Sequence, residues 1–69
     1  MDPTVNLIEQ VELAAFIQAG ARGHLGPAAE ATLQDRAERL AELVLALDGW
    51  LSKGGHLPRS WANARAVRP

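Results

Sequence analysis

The chain contains no cysteine, which excludes disulfide cross-links and any metal site built on thiolates. It also has only three aromatic residues, one phenylalanine and two tryptophans. A chain of this length buries about 60% of the surface that its unfolded form exposes, so its stability as a single subunit is marginal. With disulfides excluded, association with a second subunit is the remaining way to complete a core. We therefore expect a homo-oligomer, with a dimer as the first choice.

Long apolar runs are also missing. No stretch approaches the roughly 20 apolar residues that a membrane-spanning helix needs. The first residues, Met1-Asp2-Pro3-Thr4, are acidic and interrupted by proline, unlike the basic start of a signal peptide. The absence of cysteine fits a reducing compartment. From these features we expect a cytoplasmic protein with no membrane partner.

Acidic residues are absent from the end of the chain. Residues 1–51 hold all eight acids, whereas residues 52–69 hold four of the seven basic residues, namely Lys53, Arg59, Arg65 and Arg68. A block of one charge is typical of a solvated tail or of a segment that rests on an acidic neighbour. We expect one small domain over residues 1–69, in which residues 62–69 are either ordered or a flexible basic tail.

The first apolar periodicity predicts a helix over about residues 3–19. Asp2 is suited to the N-cap and Pro3 to the first helical position. Asn6, with Glu9 three residues later, offers a second start. One face of this helix consists of Leu7, Ile8, Val11, Ala14, Ala15 and Gln18, and its apolar arc is widened by Leu13, Phe16 and Ile17. A helix with so broad an apolar surface is expected to contact more than one neighbour.

A glycine-rich break separates this helix from a second one, predicted over about residues 27–52. Gly20 or Gly23 can end the first helix in the left-handed conformation, and the short loop favours an antiparallel hairpin. In the second helix, spacings of four, three, four, three and four join Leu33, Ala37, Leu40, Val44, Leu47 and Leu51. These spacings are those of a heptad seam. We predict an all-α protein whose hairpins self-associate along this leucine seam as a dimeric four-helix bundle.

Residues 49–61, GWLSKGGHLPRSW, contain both tryptophans and a break between them. Gly54 or Gly55 can end the second helix, and Pro58 prevents it from resuming, so a short last helix or a tail follows. Gly49 is discordant, because glycine inside a helix costs about 1 kcal/mol relative to alanine. We expect either that another group approaches it closely, which we favour, or that the helix ends just before it.

The same break allows Trp61 to fold back against Trp50 or Leu47 and to close one end of the bundle. Tryptophans also anchor interfaces when they find pockets in a partner. We therefore predict a partner-binding patch at this corner, made of Trp50, Leu57, Pro58 and Trp61. The alternative is that both rings belong to the core.

No pattern in the chain is typical of catalysis, of a metal site or of a cofactor site. His24 and His56 lack metal-ligand spacing, and the serines, threonines and glycines lie in no nucleophile or phosphate-loop motif. We expect a non-enzymatic protein without cofactors, whose leading function is protein interaction or regulation. The alternative is a small nucleic-acid-binding or transcription-accessory protein, with candidate phosphate contacts at Arg59, Arg65 and Arg68.

The last third of the chain resembles a segment of short uncharacterised helical proteins of actinobacteria and their phages. The pattern here is Leu47-Asp-Gly-Trp50-Leu51-x-x-Gly54-Gly55-x-Leu57-Pro58-x-x-Trp61. The match covers about residues 43–61, and His56 stands where those proteins have an aromatic residue such as phenylalanine. The resemblance implies a small cytoplasmic helical protein of bacterial or phage origin, and it implies no activity.

Overall fold

A computed structural model of the protein describes residues 1–23 and 30–67. Residues 65–67 are described by their backbone only. The described part of the chain forms three helices, α1 (Pro3–Ala21), α2 (Glu30–Ser52) and α3 (Arg59–Val67), and contains no strand. The predicted all-α class is thereby confirmed, and α1 and α2 pack against each other as the predicted hairpin. The predicted start of the second helix at residue 27 lies outside the described residues.

The contacts between α1 and α2 show that the hairpin is antiparallel. Gly20, near the end of α1, lies against Leu33, near the start of α2. Asn6, near the start of α1, donates a hydrogen bond from Nδ2 to the main-chain oxygen of Leu43 at 3.1 Å. The end of α1 therefore lies beside the start of α2, and the two helices run in opposite directions, as the short connection predicts.

Local sequence determines both ends of α1. The Asp2 carboxylate accepts hydrogen bonds from the main-chain N–H groups of Thr4 at 2.9 Å and Val5 at 3.2 Å, which confirms the predicted N-cap. After the other end, Gly23 has φ of +77°, and its N–H donates to the main-chain oxygen of Gly20 at 3.0 Å. Of the two glycines considered, Gly23 therefore takes the left-handed conformation that closes the helix.

The end of α2 is a Schellman motif built on the glycine pair. Gly54 has φ of +89°, and its N–H donates to the oxygen of Leu51 at 3.1 Å. The N–H of Gly55 donates to the oxygen of Trp50 at 2.9 Å. These two bonds provide donors for carbonyl oxygens that would otherwise lack a hydrogen-bond partner at the end of the helix. Chain reversal follows, and the oxygen of Pro58 accepts the first helical bonds of α3.

Gly49 departs from both sequence-based expectations. The helix α2 continues through Gly49 to Ser52, so the early end is wrong. Among the described residues, no atom outside its own helical turn lies within 4 Å of the position that a Cβ would occupy, so the favoured close approach is also wrong. Nothing in the structure explains a glycine at this position.

The core between α1 and α2 is small and contains an amide. Its buried apolar side chains, among the described residues, are Leu13, Leu43 and Leu47. The side chain of Asn6 is buried beside them, and its Oδ1 accepts a hydrogen bond from Nε2 of Gln10 at 2.6 Å. Because both polar atoms of Asn6 have partners, the cost of removing the amide from water is offset. Such an amide favours one register of the two helices.

The third helix is anchored at the start of α1. The main-chain N–H of Arg59 donates to Oγ1 of Thr4 at 2.9 Å. The preceding residue in each segment, Pro58 and Pro3, is fully buried. The backbone of residues 62–67 continues α3, so this part of the segment, for which a tail was one expectation, is helical.

Candidate functional site

The helix α1 buries one side against α2 and exposes an apolar side. An α-helix turns by about 100° per residue, so residues two apart lie on nearly opposite sides. Asn6 and Leu13 are 6% exposed, whereas Ile8 and Val11, two residues from them, are 55% and 61% exposed. The apolar face that the sequence analysis identified therefore points away from α2, and the residues that widened it provide part of the contact.

We call this exposed surface the outer face of α1 and define it by Val5, Ile8, Val11 and Ala15. All four are exposed, and Met1 extends the surface just before the helix. Soluble monomers rarely expose contiguous apolar patches of this kind unless the patch binds something. The outer face is thus the strongest candidate for a binding surface.

A groove of about 510 Å³ runs along this face between α1 and α3. Its lining consists of Thr4, Leu7, Ile8, Val11 and Glu12 from α1 and of Arg59, Ser60 and Asn63 from α3. Thr4 and Glu12 are eight residues apart, which is about 12 Å along a helix. Because the N–H of Arg59 is bonded to Thr4, Arg59 lies at one end of the groove and Glu12 at the other. The groove therefore has an apolar floor and opposite charges at its two ends.

A different side of the hairpin is charged. Nε and Nη2 of Arg39 donate to the two carboxylate oxygens of Glu9 at 2.9 and 3.1 Å, and Nη1 donates to Glu42 at 3.4 Å. The hydrogen bonds from Arg39 lower the pKa of Glu9, and the same bonds raise the pKa of Arg39. Glu9 is thereby held ionised, which is the opposite of what a general acid requires. Nearby, the guanidinium of Arg36 lies 5.3 Å from the ring centroid of Phe16.

The six residues of the predicted leucine seam are divided between the core and the surface. Leu47 is buried, and three others are half-buried, namely Leu33, Leu40 and Leu51. Ala37 and Val44 are exposed, while Leu43, which is not part of the seam, is buried. The reason is that α1 packs on the side of α2 centred between Leu43 and Leu47. Most of the seam is therefore used within the chain, and self-association along it stays a prediction that depends on Ala37 and Val44.

Trp50 holds the corner after α2 together. Its Nε1 donates to the main-chain oxygen of His56 at 3.0 Å, and the two rings meet edge to face with centroids 5.4 Å apart. The Cα of Gly55 lies so close to the indole that a Cβ there would collide with it. Among the described residues, the ring that packs on Trp50 is thus that of His56, and Trp61 lies elsewhere.

The other members of the predicted corner patch have separate environments. Pro58 is fully buried and Leu57 is half-buried. Trp61 is 44% exposed and shares a cleft with Leu47 and Val44, so it folds back toward Leu47, one of the two neighbours expected for it. Of the four residues, Trp61 is thus exposed, Trp50 and Leu57 are half-buried and Pro58 is buried, and a partner-binding patch at this corner stays a prediction.

The candidate phosphate contacts are described only in part. Arg59 is exposed at the start of α3, whereas the side chain of Arg65 and the whole of Arg68 lie outside the described residues, as does His24. The ring of His56 belongs to the corner described above. In the described part of the chain, no cluster of three or more histidine, aspartate or glutamate side chains is arranged to hold a metal ion.

Comparisons of the chain with known protein families, with curated proteins and with solved structures found no match. The resemblance to actinobacterial and phage proteins therefore stays a prediction. None of the helices that the structure describes combines the length and the apolar character needed to cross a membrane.

Sequence patterns did not single out the outer face as a candidate binding surface, and they did not place Glu12 at the end of a groove. The signal for the outer face was the breadth of the apolar surface of α1, because so broad a surface predicts contact with more than one neighbour. For Glu12 there was no signal in the sequence, because the groove depends on where α3 docks. That docking brings Arg59 to Thr4 from a distance of 55 residues along the chain.

Proposed function

We propose that this protein is a non-enzymatic protein-interaction module, of a regulatory kind, that binds a helix through the outer face of α1. The observation that carries the proposal is that Ile8 and Val11, on the side away from α2, are more than half exposed. Burial of such a side chain stabilises a complex by about 1.5–3 kcal/mol when it is complete. The small core of the hairpin leaves the chain in need of that contribution.

The shape of the groove favours a helix as the occupant. Thr4, Leu7, Ile8 and Val11 follow the spacing i, i+3, i+4 and i+7, which is the spacing of residues that contact one neighbouring helix. A helix of the partner in the groove would bury the apolar floor residues against its own apolar side. Polar residues of α3, including Ser60 and Asn63, would lie at the rim, where exposed polar groups are usual in interfaces.

Self-association along the leucine seam into a four-helix bundle is the alternative mode of assembly, and an assembly of that kind would persist in Ile8→Lys. It is supported by the exposure of Ala37 and Val44 on α2. A bacterial or phage origin and a cytoplasmic location remain predictions from the sequence.

The outer face is tested by placing a charge on it. We expect the wild-type protein either to associate in light scattering over a concentration series or, as a monomer, to enhance the fluorescence of the dye 1-anilinonaphthalene-8-sulfonate. Ile8→Lys or Val11→Lys should abolish that behaviour. The matched control is Leu45→Lys, because Leu45 is an apolar residue of α2 that is 72% exposed. A wild type that neither associates nor binds the dye contradicts the proposal.

The second candidate function is nucleic-acid binding by Arg59, Arg65 and Arg68. It is supported by the exposure of Arg59, which makes no ion pair with the described residues. Phosphate contacts would make DNA affinity fall steeply as the salt concentration rises, whereas binding through an apolar groove would change little. Deletion of residues 62–69 should abolish binding to DNA if this second function is correct.

A further inference from the structure

We propose that the helix in the groove is α1 of a second copy of this chain, and that the two α1 helices lie antiparallel about a twofold axis next to Ile8. This inference rests on the proposed function, because it names the partner of the same surface. It is carried by the charges at the ends of the groove and by the positions of the exposed apolar residues.

The charges at the two ends are complementary between copies. Arg59 lies at the Thr4 end and Glu12 at the other, and neither forms an ion pair among the described residues. A twofold axis next to Ile8 reverses one helix on the other, so the Thr4 end of each groove meets Glu12 of the partner subunit. Arg59 then faces that carboxylate, and symmetry makes the same pair twice. Two opposite charges thus meet at each end of the interface.

A parallel arrangement of the same two faces is disfavoured. It would bring Glu12 next to Glu12 of the partner subunit and Arg59 next to Arg59 of the partner subunit. Like charges at such positions repel each other, and repulsion of this kind excludes incorrect arrangements at interfaces. The groove is therefore complementary to itself in the antiparallel orientation alone.

The same axis covers the exposed apolar residues of α1. Ile8 lies next to its own copy and Val5 opposes Val11 of the partner subunit, while Met1, which precedes the helix, extends the surface toward Ala15 of the partner subunit. Met1, Val5, Ile8 and Val11 are the large apolar residues at this end of the chain that are more than half exposed, and one register covers all four. A self-complementary patch of this kind is what a twofold dimer requires.

The test is an exchange of the two charges, with the dissociation constant of the dimer measured by light scattering and analytical ultracentrifugation of the full chain. Arg59→Glu and Glu12→Arg alone should each weaken the dimer about tenfold or more, because two attractive pairs become repulsive. The double variant should return to within about threefold of the wild type. The matched control is Glu38→Arg, which makes the same charge change at an exposed position of α2.

Neither single change is expected to unfold the protein. The bond from Arg59 to Thr4 uses the main-chain N–H, which the substitution retains, and an acidic residue at the first position of α3 is favourable there. Circular dichroism of each variant checks this point. Ile8→Lys, which places two lysines at the axis, should give a monomer with unchanged helix content.

The outcomes separate this inference from the function on which it rests. A dimer that the single changes do not weaken, or that the double change does not restore, overturns the antiparallel arrangement. A wild type that is monomeric at every concentration but binds the dye overturns the second copy as partner and assigns the groove to another protein. A monomer that binds no dye overturns the proposed function as well.

Discussion

Polar and apolar residues are distributed over the two sides of α1 differently from those of an ordinary surface helix. The side against α2 contains the buried amide of Asn6 and the half-buried amide of Gln10. The side away from α2 contains Ile8 and Val11, both more than half exposed. In most surface helices the polar side faces water and the apolar side faces the core. This difference is the reason why we propose a partner for the outer face.

The physical reason why the inner side tolerates amides is that each polar atom of Asn6 is bonded, one to Leu43 and one to Gln10. A satisfied amide in a core costs little and selects a register. The exposed side has no comparable compensation, because apolar groups in water gain free energy only when another surface covers them. The inner side of α1 therefore stabilises the hairpin, and the outer side is the surface that we propose for binding.

Truncation of one residue on each side should give the largest contrast. Leu13→Ala is expected to lower the free energy of unfolding by about 2–5 kcal/mol, because it leaves a cavity in a small core. Val11→Ala should change it by no more than about 0.5 kcal/mol in the monomer, since Val11 is exposed. Urea unfolding followed by circular dichroism measures both, in an Ile8→Lys background so that association does not contribute. Equal losses of unfolding free energy in the two variants would mean that both sides of α1 belong to the core.

A smaller effect tests the role of the inner amide. Asn6→Ala is expected to lower the free energy of unfolding by about 1–2 kcal/mol, because the bond to Leu43 is lost and Gln10 loses its partner. Gln10→Ala is the control, since it removes the bond between the two side chains and keeps the one to α2. Thermal unfolding measures both variants. If Gln10→Ala is as destabilising as Asn6→Ala, the interhelical bond does not stabilise the hairpin.

The smallest expected change in stability comes from alanine substitutions at two glycines, one with free space at its Cβ position and one covered by an indole. Gly49→Ala is expected to raise the free energy of unfolding by about 0.5–1 kcal/mol, because alanine is the better helix former and nothing in the described structure occupies the space of its Cβ. Gly55→Ala should lower it, since its Cβ would collide with the Trp50 indole. Chemical denaturation measures the free energy of unfolding of the two variants. A loss of stability in Gly49→Ala would mean that an assembled partner or another group covers this position.

Helix ends were predictable from the sequence because their causes are local. The carboxylate of Asp2 reaches amides two and three residues away, and Gly54 takes a backbone conformation that other residues resist. The bond from Trp50 to the oxygen of His56 was not predicted, although it spans only six residues. It forms only after the cap has turned the chain back over the indole, and sequence patterns do not describe such a reversal.

The choice of buried side could not be predicted in either long helix. In α1, apolar residues cover both sides, so periodicity alone does not say which side α2 occupies. In α2, the heptad pattern selected Val44, whereas packing buries Leu43. One position along a helix is a rotation of about 100°, and a single-helix pattern contains no information on where the neighbour lies.

The sequence by itself determined that the described part of this protein is helical, where α1 begins and where α2 ends, and that α1 has a broad apolar surface. Capping, glycine conformation and apolar spacing act within a few residues, so they are readable along the chain. Only the tertiary structure decided which side of α1 faces α2 and where the groove and its charges lie. Those features depend on contacts such as that between Asn6 and Leu43, 37 residues apart, and on the docking of α3 at Thr4.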